Sequence, residues 1–445
     1  MKKRSGKAAG GRSEKDLLTR IKGKNFTAAI VGLGYVGLPL AMEYADAGIE
    51  VIGIDIDGSK VRSLRAGKSH VGDVPSEAVK RAVAAGLFTP TTDYSAVAMA
   101  DTVNICVPTP LRKTKDPDLS YIVGAMEHMV KYLHKDMLIV LESTTYPGTT
   151  QEVLAPMIEQ KGFKVGRDIF LAFSPERVDP GKPQFTTKNI PKVVGGVTPM
   201  CTKVAAALYG GVLENVHPVS SAAVAEMVKL LENTFRSVNI GLVNEIALMA
   251  NRMGIDVWEV IDAAKTKPFG FMPFYPGPGI GGHCIPLDPF YLSWKAKQYG
   301  FESRFIELAG VVNGQMPHYT VEKVAEALNR NRMAVNGAKV LVLGVSYKKN
   351  ISDVRESPAL DILQLLSKKG ARLSYCDPYV PEVREGGMTL SASPFSAATL
   401  RKSDCVVIVT DHASFDYKMI AREAKAIVDT RNAMKGLNGK KIIKL

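Results

Sequence analysis

Apolar residues follow two rhythms along this chain. Short, nearly continuous apolar runs occur at Ala28–Val31, Glu50–Asp55 (EVIGID), Thr102–Val107 (TVNICV), Met137–Leu141 (MLIVL) and Ile169–Ala172. Runs of that length suit strands buried on both faces. Between them, at Tyr35–Ala47, Val79–Ala85 and Ile122–Leu133, apolar residues return at helical spacing. Strands alternating with helices predict a parallel sheet covered on both sides.

The pattern changes near His217-Pro218. From Val219 to Met253 there is no proline, one glycine (Gly241) and a sustained helical period, which predicts one long helix. A Gly/Pro-rich loop, Pro268–Pro289, follows, and then helical spacing from Tyr291 to about Arg330. The first rhythm resumes at Lys339–Gly344, with a helix at Pro358–Lys369 and strands at Arg372–Cys376, Cys405–Thr410 and Ala426–Asp429. The expected fold is α/β, with two parallel-sheet domains separated by a central long helix or helical domain. The expected segments are a basic, disordered tail (1–25), an N-terminal parallel-sheet domain (26–216), a central helical domain (217–330) and a C-terminal parallel-sheet domain (331–445).

Composition narrows the class. The 445 residues are 46% hydrophobic and 23% charged, as in an ordinary soluble globular protein. No apolar run reaches the ~18 residues of a membrane helix, and the basic N-terminus lacks the apolar stretch of a secretory signal. Residues 1–24 hold nine Lys/Arg and two Asp/Glu, so they carry +7 of the net +13. That segment reads as a solvating tail; a nucleic-acid or membrane arm needs aromatic interleaving or a folded basic face, and neither is visible. The five scattered cysteines have no CxxC spacing, which argues against a disulfide framework or zinc site and points to a reducing cytoplasm. No metal is expected.

Two segments carry the candidate chemistry. Gly32-Leu33-Gly34-Tyr35-Val36-Gly37 lies between a strand and a helix, and Asp55 ends the next strand. Gly32 permits the turn, Gly34 lets a pyrophosphate reach backbone N–H groups, and Gly37 allows close helix packing. A carboxylate at Asp55 suits the ribose hydroxyls and disfavours a 2′-phosphate, so the expected cofactor is NAD. The second segment, Gly277-Pro278-Gly279-Ile280-Gly281-Gly282-His283-Cys284, surrounds one thiol with glycines, and Asp288 follows. A nucleophile beside a hydride acceptor suggests oxidation of an alcohol past the aldehyde to an acid, through a thioester. The loop alone also allows Cys284 to be a buried small apolar residue, and Asp288 either orients water or caps a helix.

Other positions are open between two readings. Pro108-Thr109 and Ser143-Thr144 close strands, where ligands bind in open α/β sheets, or are simple turns. Glu176 and Arg177 follow another strand, as base and anion holder or as a surface pair. Glu226, Lys229, Asn233 and Arg236 share one face of the long helix, as an oxyanion-stabilising set or as a solvated stripe.

With these motifs in order, the chain closely resembles the UDP-glucose/GDP-mannose dehydrogenase superfamily from about Ala28 to Asp429. The matching blocks are VGLGYVGLPLA, VIGIDID, CVPTPL, STTYPGTT, FSPERVDPG, EMVKLLENTFRSVNI, GPGIGGHCIPLDP and VSYKKNISDVRESPA. The resemblance implies two Rossmann-like parallel-sheet domains, the first (26–216) binding NAD and the second (331–445) the UDP-sugar, joined by a central dimerisation and catalytic domain (217–330) whose long helix forms a dimer interface, and a four-electron oxidation of a sugar C6 alcohol with two NAD. It implies Cys284 as nucleophile, Lys229 and Asn233 as oxyanion stabilisers, and Asp288, Glu176 and Thr144 as handlers of water and protons. Cofactor contacts are implied for Gly32, Gly34, Tyr35, Val36, Gly37, Asp55, Lys60, Pro108, Thr109, Ser143, Thr144 and Arg355. Substrate contacts are implied for Glu176, Arg177, Val178, Lys229, Asn233, Lys267, Tyr275, Gly281 and Lys348.

Departures shape the substrate. Members acting on UDP-glucose usually have a lysine where Leu287 stands, and an upstream arginine for which Lys267 is the nearest substitute. GGHCIPLDP and SPERV resemble the branch acting on UDP-N-acetylhexosamines. Within it, TKPFGFMPFYPGPG resembles members oxidising UDP-N-acetylglucosamine, ahead of UDP-N-acetylmannosamine and then UDP-glucose. The expected partners are that substrate and further copies of the chain, with no nucleic acid and no membrane. A single-step hydroxy-acid oxidiser would not need Cys284. A non-catalytic nucleotide-sugar-binding regulator would tolerate loss of Glu176, Lys229, Asn233, Cys284 or Asp288, yet all are present.

Overall fold

Continuous apolar runs become the strands of two separate parallel sheets. The computed structural model describes residues 14–112, 116–178, 184–437 and 439–445. It divides into two compact units, residues 1–231 and 232–445.

The first unit holds an eight-stranded sheet. Its strands are β1 (Thr27–Val31), β2 (Glu50–Ile54), β3 (Phe88–Thr91), β4 (Thr102–Ile105), β5 (Met137–Leu141), β6 (Ile169–Phe173), β7 (Lys192–Gly196) and β8 (Val216–Pro218). Their order is β3-β2-β1-β4-β5-β6-β7-β8. The first six reproduce the dinucleotide-binding order, with its switch between β1 and β4. Every residue of β4, β5 and β6 is buried, which is why these strands read as unbroken apolar runs. β6 and β7 pair antiparallel, through Ala172↔Gly196 and Phe173↔Gly195.

The N-terminal segment corrects one expectation. Residues 1–13 lie outside the described residues, but Glu14–Lys22 is a helix, not a disordered tail. Leu17 and Ile21, one turn apart, are buried in the first unit's core, and the helix packs on Pro199–Gly210. Arg20 pairs with Asp101, which also accepts Thr27 N–H at 3.0 Å. A nine-residue helix is marginal alone, so this apolar pair and ion pair hold it.

The long helix runs Ala222–Met253, and Ser221 Oγ accepts Val224 N–H at 3.2 Å at its start. In the second unit, Gly241 lets it approach the helix Arg304–Arg330: a Cβ there would lie 3.2 Å from Ala309 Cα. A second sheet follows, from β9 (Lys339–Leu343), β10 (Arg372–Cys376), β13 (Cys405–Ile408), β14 (Ile427–Asp429) and β15 (Ile442–Lys444). Its order is β10-β9-β13-β14-β15, all parallel. The antiparallel hairpin β11 (Glu382–Glu385) and β12 (Met388–Ser391) stands apart from it. Among the described residues no helix is long and apolar enough to cross a membrane.

Candidate active site

The turn after β1 has the shape a pyrophosphate needs. Gly32 has φ +92°, and a Cβ there would lie 2.6 Å from the Cys106 carbonyl oxygen. A Cβ on Gly37 would lie 1.8 Å from Gly32 O, whereas one on Gly34 would meet nothing within 4 Å. Two glycines therefore close the turn, and the third leaves an open approach to the helix Gly37–Asp46. Val36 caps that helix, and Tyr35 beside it is exposed. Asp55, just past β2, accepts Leu33 N–H and Asp57 N–H, each at 2.9 Å, and has Lys60 Nζ at 3.7 Å. A carboxylate has about four acceptor positions, so Asp55 retains capacity for a ribose diol. Pro108 and Thr109 follow β4, while Ser143 Oγ donates to Val107 O at 2.7 Å beside half-buried Thr144. These residues share the carboxyl edge of one sheet and fit NAD.

Glu176 is no surface partner of Arg177. Its Oε1 accepts the N–H groups of Arg177 (2.7 Å) and Val178 (2.8 Å), and its Oε2 lies 3.5 Å from buried Lys192. Arg177 instead donates from Nη1 to Pro191 O at 2.7 Å. Buried Lys229 donates to the Glu176 carbonyl oxygen at 2.6 Å. Burial opposes ionisation of Glu176, but Lys192, the two N–H donors and Lys229 outweigh it and hold the carboxyl below its usual range.

In the second unit, Asn233 and Asp288 are both buried, and Asn233 Nδ2 donates to Asp288 Oδ2 at 2.6 Å. Asp288 is the first residue of the helix Asp288–Lys297 and does not cap it; Leu287 holds that position. Its N–H donates to Cys284 O at 2.8 Å, so the thiol rides on the turn that opens the helix. Cys284 is exposed, and the other four cysteines are buried. Gly282, at φ +89°, lies against Tyr347, where a Cβ would come within 2.8 Å of the ring; its N–H donates to Arg355 O at 3.1 Å. Gly281 also lies against Tyr347, beside Lys348, whose carbonyl accepts Ser346 Oγ at 2.9 Å. The Arg355 guanidinium pairs with Asp353 at 2.6 Å. Burial and Arg355 push the His283 imidazole below its ordinary value, so it is neutral at pH 7. Lys267 lies over the Phe269 ring, and Tyr275 stacks on Trp258 with its hydroxyl 3.2 Å from Asp262.

Three family models cover the chain in sequence. They are the NAD-binding (26–213), central (223–315) and UDP-binding (341–436) domains of the UDP-glucose/GDP-mannose dehydrogenase family. A UDP-N-acetyl-D-glucosamine 6-dehydrogenase of Pseudomonas aeruginosa is 36% identical over 397 residues, 88% of this chain and 92% of the relative. The chain belongs to the UDP-glucose/GDP-mannose dehydrogenase family. A UDP-N-acetyl-D-mannosamine dehydrogenase of Pyrococcus horikoshii is 33% identical, over 92% of this chain and 96% of its own. A solved UDP-D-ManNAc dehydrogenase from that organism matches with TM-score 0.86 at 32% identity, covering 94% of this chain and 98% of its own. Membership makes this an NAD-dependent nucleotide-sugar dehydrogenase, an oxidoreductase of the α/β class.

Within each unit, several buried polar residues of this dehydrogenase escape sequence reading. Glu142 and Lys192 are a buried pair 2.7 Å apart, and Glu142 also accepts Asn104 Nδ2 (2.9 Å) and the Tyr209 hydroxyl. Their only signal is a charge at the edge of an apolar strand, in MLIVLE and KVVGG. Asn244 Oδ1 accepts Gly277 N–H at 2.9 Å, Asn244 Nδ2 donates to Asn313 Oδ1 at 2.9 Å, and Asn313 Nδ2 donates to Ser237 O at 3.1 Å. No spacing rule links residues so far apart in sequence. Among the described residues no cluster of His, Cys, Asp or Glu could hold a metal ion.

Proposed function

We propose that this enzyme oxidises the C6 alcohol of UDP-N-acetyl-D-glucosamine to the uronic acid, in the cytoplasm, for a surface polysaccharide. The exposed thiol of Cys284, on the turn that also carries Asp288, is the observation that carries the reading. NAD bound at the first sheet supplies the hydride acceptor for both oxidations.

A base takes the C6 hydroxyl proton during the first oxidation; ionised Glu176 suits that task. The Cys284 thiolate then adds to the aldehyde carbon and gives a thiohemiacetal. The Lys229 ammonium and the Asn233 amide, one turn apart on one helix, stabilise its oxyanion. The second oxidation leaves a thioester on Cys284. Water positioned by Asp288, Glu176 and Thr144 hydrolyses it, releasing the acid and the thiol. In sum, one alcohol, two NAD+ and one water give one acid, two NADH and two protons. Arg177, Val178, Lys267, Tyr275, Gly281 and Lys348 are assigned to the substrate, and Arg355 to the cofactor.

The sugar assignment draws support from the Pseudomonas relative and from Leu287. The Pyrococcus relative favours UDP-N-acetylmannosamine as the second reading. NADH formation with UDP-N-acetylglucosamine, its galactose and mannose epimers and UDP-glucose separates them. The highest kcat/KM is expected for the first, with two NADH per acid. One NADH per turnover with release of free aldehyde overturns the thioester route, and preference for another sugar overturns the substrate.

A further inference from the structure

We propose that Lys192, braced by Glu142, is a positioning residue that fixes the Glu176 carboxylate in place as an anion. This rests on the reading of Glu176 as a group that handles water and protons.

The sheet's one antiparallel pairing makes the arrangement possible. β7 runs against β6, with Phe173 opposite Gly195. Carried three residues past that pair, the same register sets Glu176 opposite Lys192. In a parallel strand, the first residue would lie at the far edge of the sheet, away from the ligand side. Reversal brings a buried ammonium to the carboxyl edge, where Glu142 leaves β5 and Glu176 leaves β6.

Burying that ammonium is costly unless it is paired. Lys192 Nζ lies 2.7 Å from Glu142 Oε2 and 3.5 Å from Glu176 Oε2, over the Tyr209 ring. Tyr209 and Asn104 occupy the other oxygen of Glu142, so this carboxylate cannot turn away. Glu176 is fixed from the other side by two backbone N–H groups on Oε1. Burial alone would lower the Lys192 pKa, but the two carboxylates outweigh it and hold the ammonium above lysine's ordinary range. Among the described residues, the charged or titratable groups facing Glu176 are Lys192 from β7, Lys229 from the long helix and Cys106 after β4, with Glu142 after β5 on the far side of Lys192. Burial pushes the Cys106 thiol up, so it stays neutral. Two carboxylates and two ammoniums balance, with Lys192 the nearest cation to the Glu176 carboxylate among the described residues.

The test measures pH–rate profiles of kcat on the purified full-length enzyme. The variants are Lys192→Met, Lys192→Arg, Glu142→Gln and Glu176→Gln, with circular dichroism as a fold control. In Lys192→Met the acidic limb should move up by about one pH unit, lowering kcat by up to ~10-fold at pH values on that limb, with the loss regained toward pH 7. Lys192→Arg should restore most of this. Glu142→Gln should move the limb the opposite way, because Lys192 then serves Glu176 alone. Opposite displacements distinguish charge positioning from general damage. An acidic limb unmoved in Lys192→Met and Glu142→Gln, with Glu176→Gln impaired, overturns the inference. Full activity in Glu176→Gln overturns the underlying reading instead. If Lys192→Met does not fold, Glu142→Gln and Lys192→Arg still decide.

Discussion

Glu226 shows how one buried carboxylate organises a loop. It is fully buried and accepts Gly148 N–H at 2.6 Å, Thr150 N–H at 2.9 Å and the Thr150 hydroxyl at 2.6 Å. It thus ties the long helix to the turn after Ser143 and Thr144. Burial pushes its pKa up to about 7, against the lowering effect of those donors. The sign follows: a group easier to protonate when folded adds stability at low pH and loses it as pH rises toward 7. From pH 5 to 8 its contribution should fall by about 2–3 kcal/mol. Chemical denaturation of wild type and Glu226→Gln should show the wild-type advantage shrinking over that range; a constant difference refutes it. At Gly37 the prediction is steric. Gly37→Ala places a Cβ 1.8 Å from Gly32 O, so the turn must open. NAD affinity by calorimetry should fall at least ~10-fold.

At the scale of elements, the glycine loop depends on a chain of amides. Asn244 joins Gly277 N–H to Asn313, and Asn313 joins it to Ser237 O. Asn244→Ala strands a buried N–H and one amide oxygen, and should cost on the order of 2–4 kcal/mol in denaturation. Retained stability would show that the loop holds without the relay. This relay, the Glu142–Lys192 pair and antiparallel β7 mark what sequence patterns left hidden. The strand Met137–Leu141 was legible to the residue, because an unbroken apolar run reports burial directly. Gly32 and Gly37 were legible because their spacing is local to one turn, and Asp55 because it closes the very next strand. Lys192 was not, because its partners arrive from other strands and its significance lies in the direction of a short strand. The helix Glu14–Lys22 was hidden by surrounding charge; its signature was three apolar residues, Leu17, Leu18 and Ile21, two of which, Leu17 and Ile21, lie one turn apart and are buried.

At the scale of the whole molecule, the long helix leaves an apolar stripe uncovered. Leu231, Phe235, Leu242, Met249 and Met253 are exposed and recur at intervals of four and seven, so they lie along one side of it. On the helix Arg304–Arg330, Phe305, Leu308 and Val311 are exposed as well. Stripes of this kind mark association surfaces, and a second copy of the helix presents the same spacing in return. The expected assembly is therefore a homodimer or a larger closed set. Light scattering behind size exclusion should give at least twice the 48.1 kDa chain mass. Leu242→Glu with Met249→Glu places two charges in the stripe's centre, where an interface must desolvate them, and should shift the mass to that of one chain. Both substitutions lie on exposed helix positions, so the monomer's fold should persist by circular dichroism. A wild type already at 48.1 kDa would refute the assembly, and an unchanged mass in the variant would move the interface elsewhere.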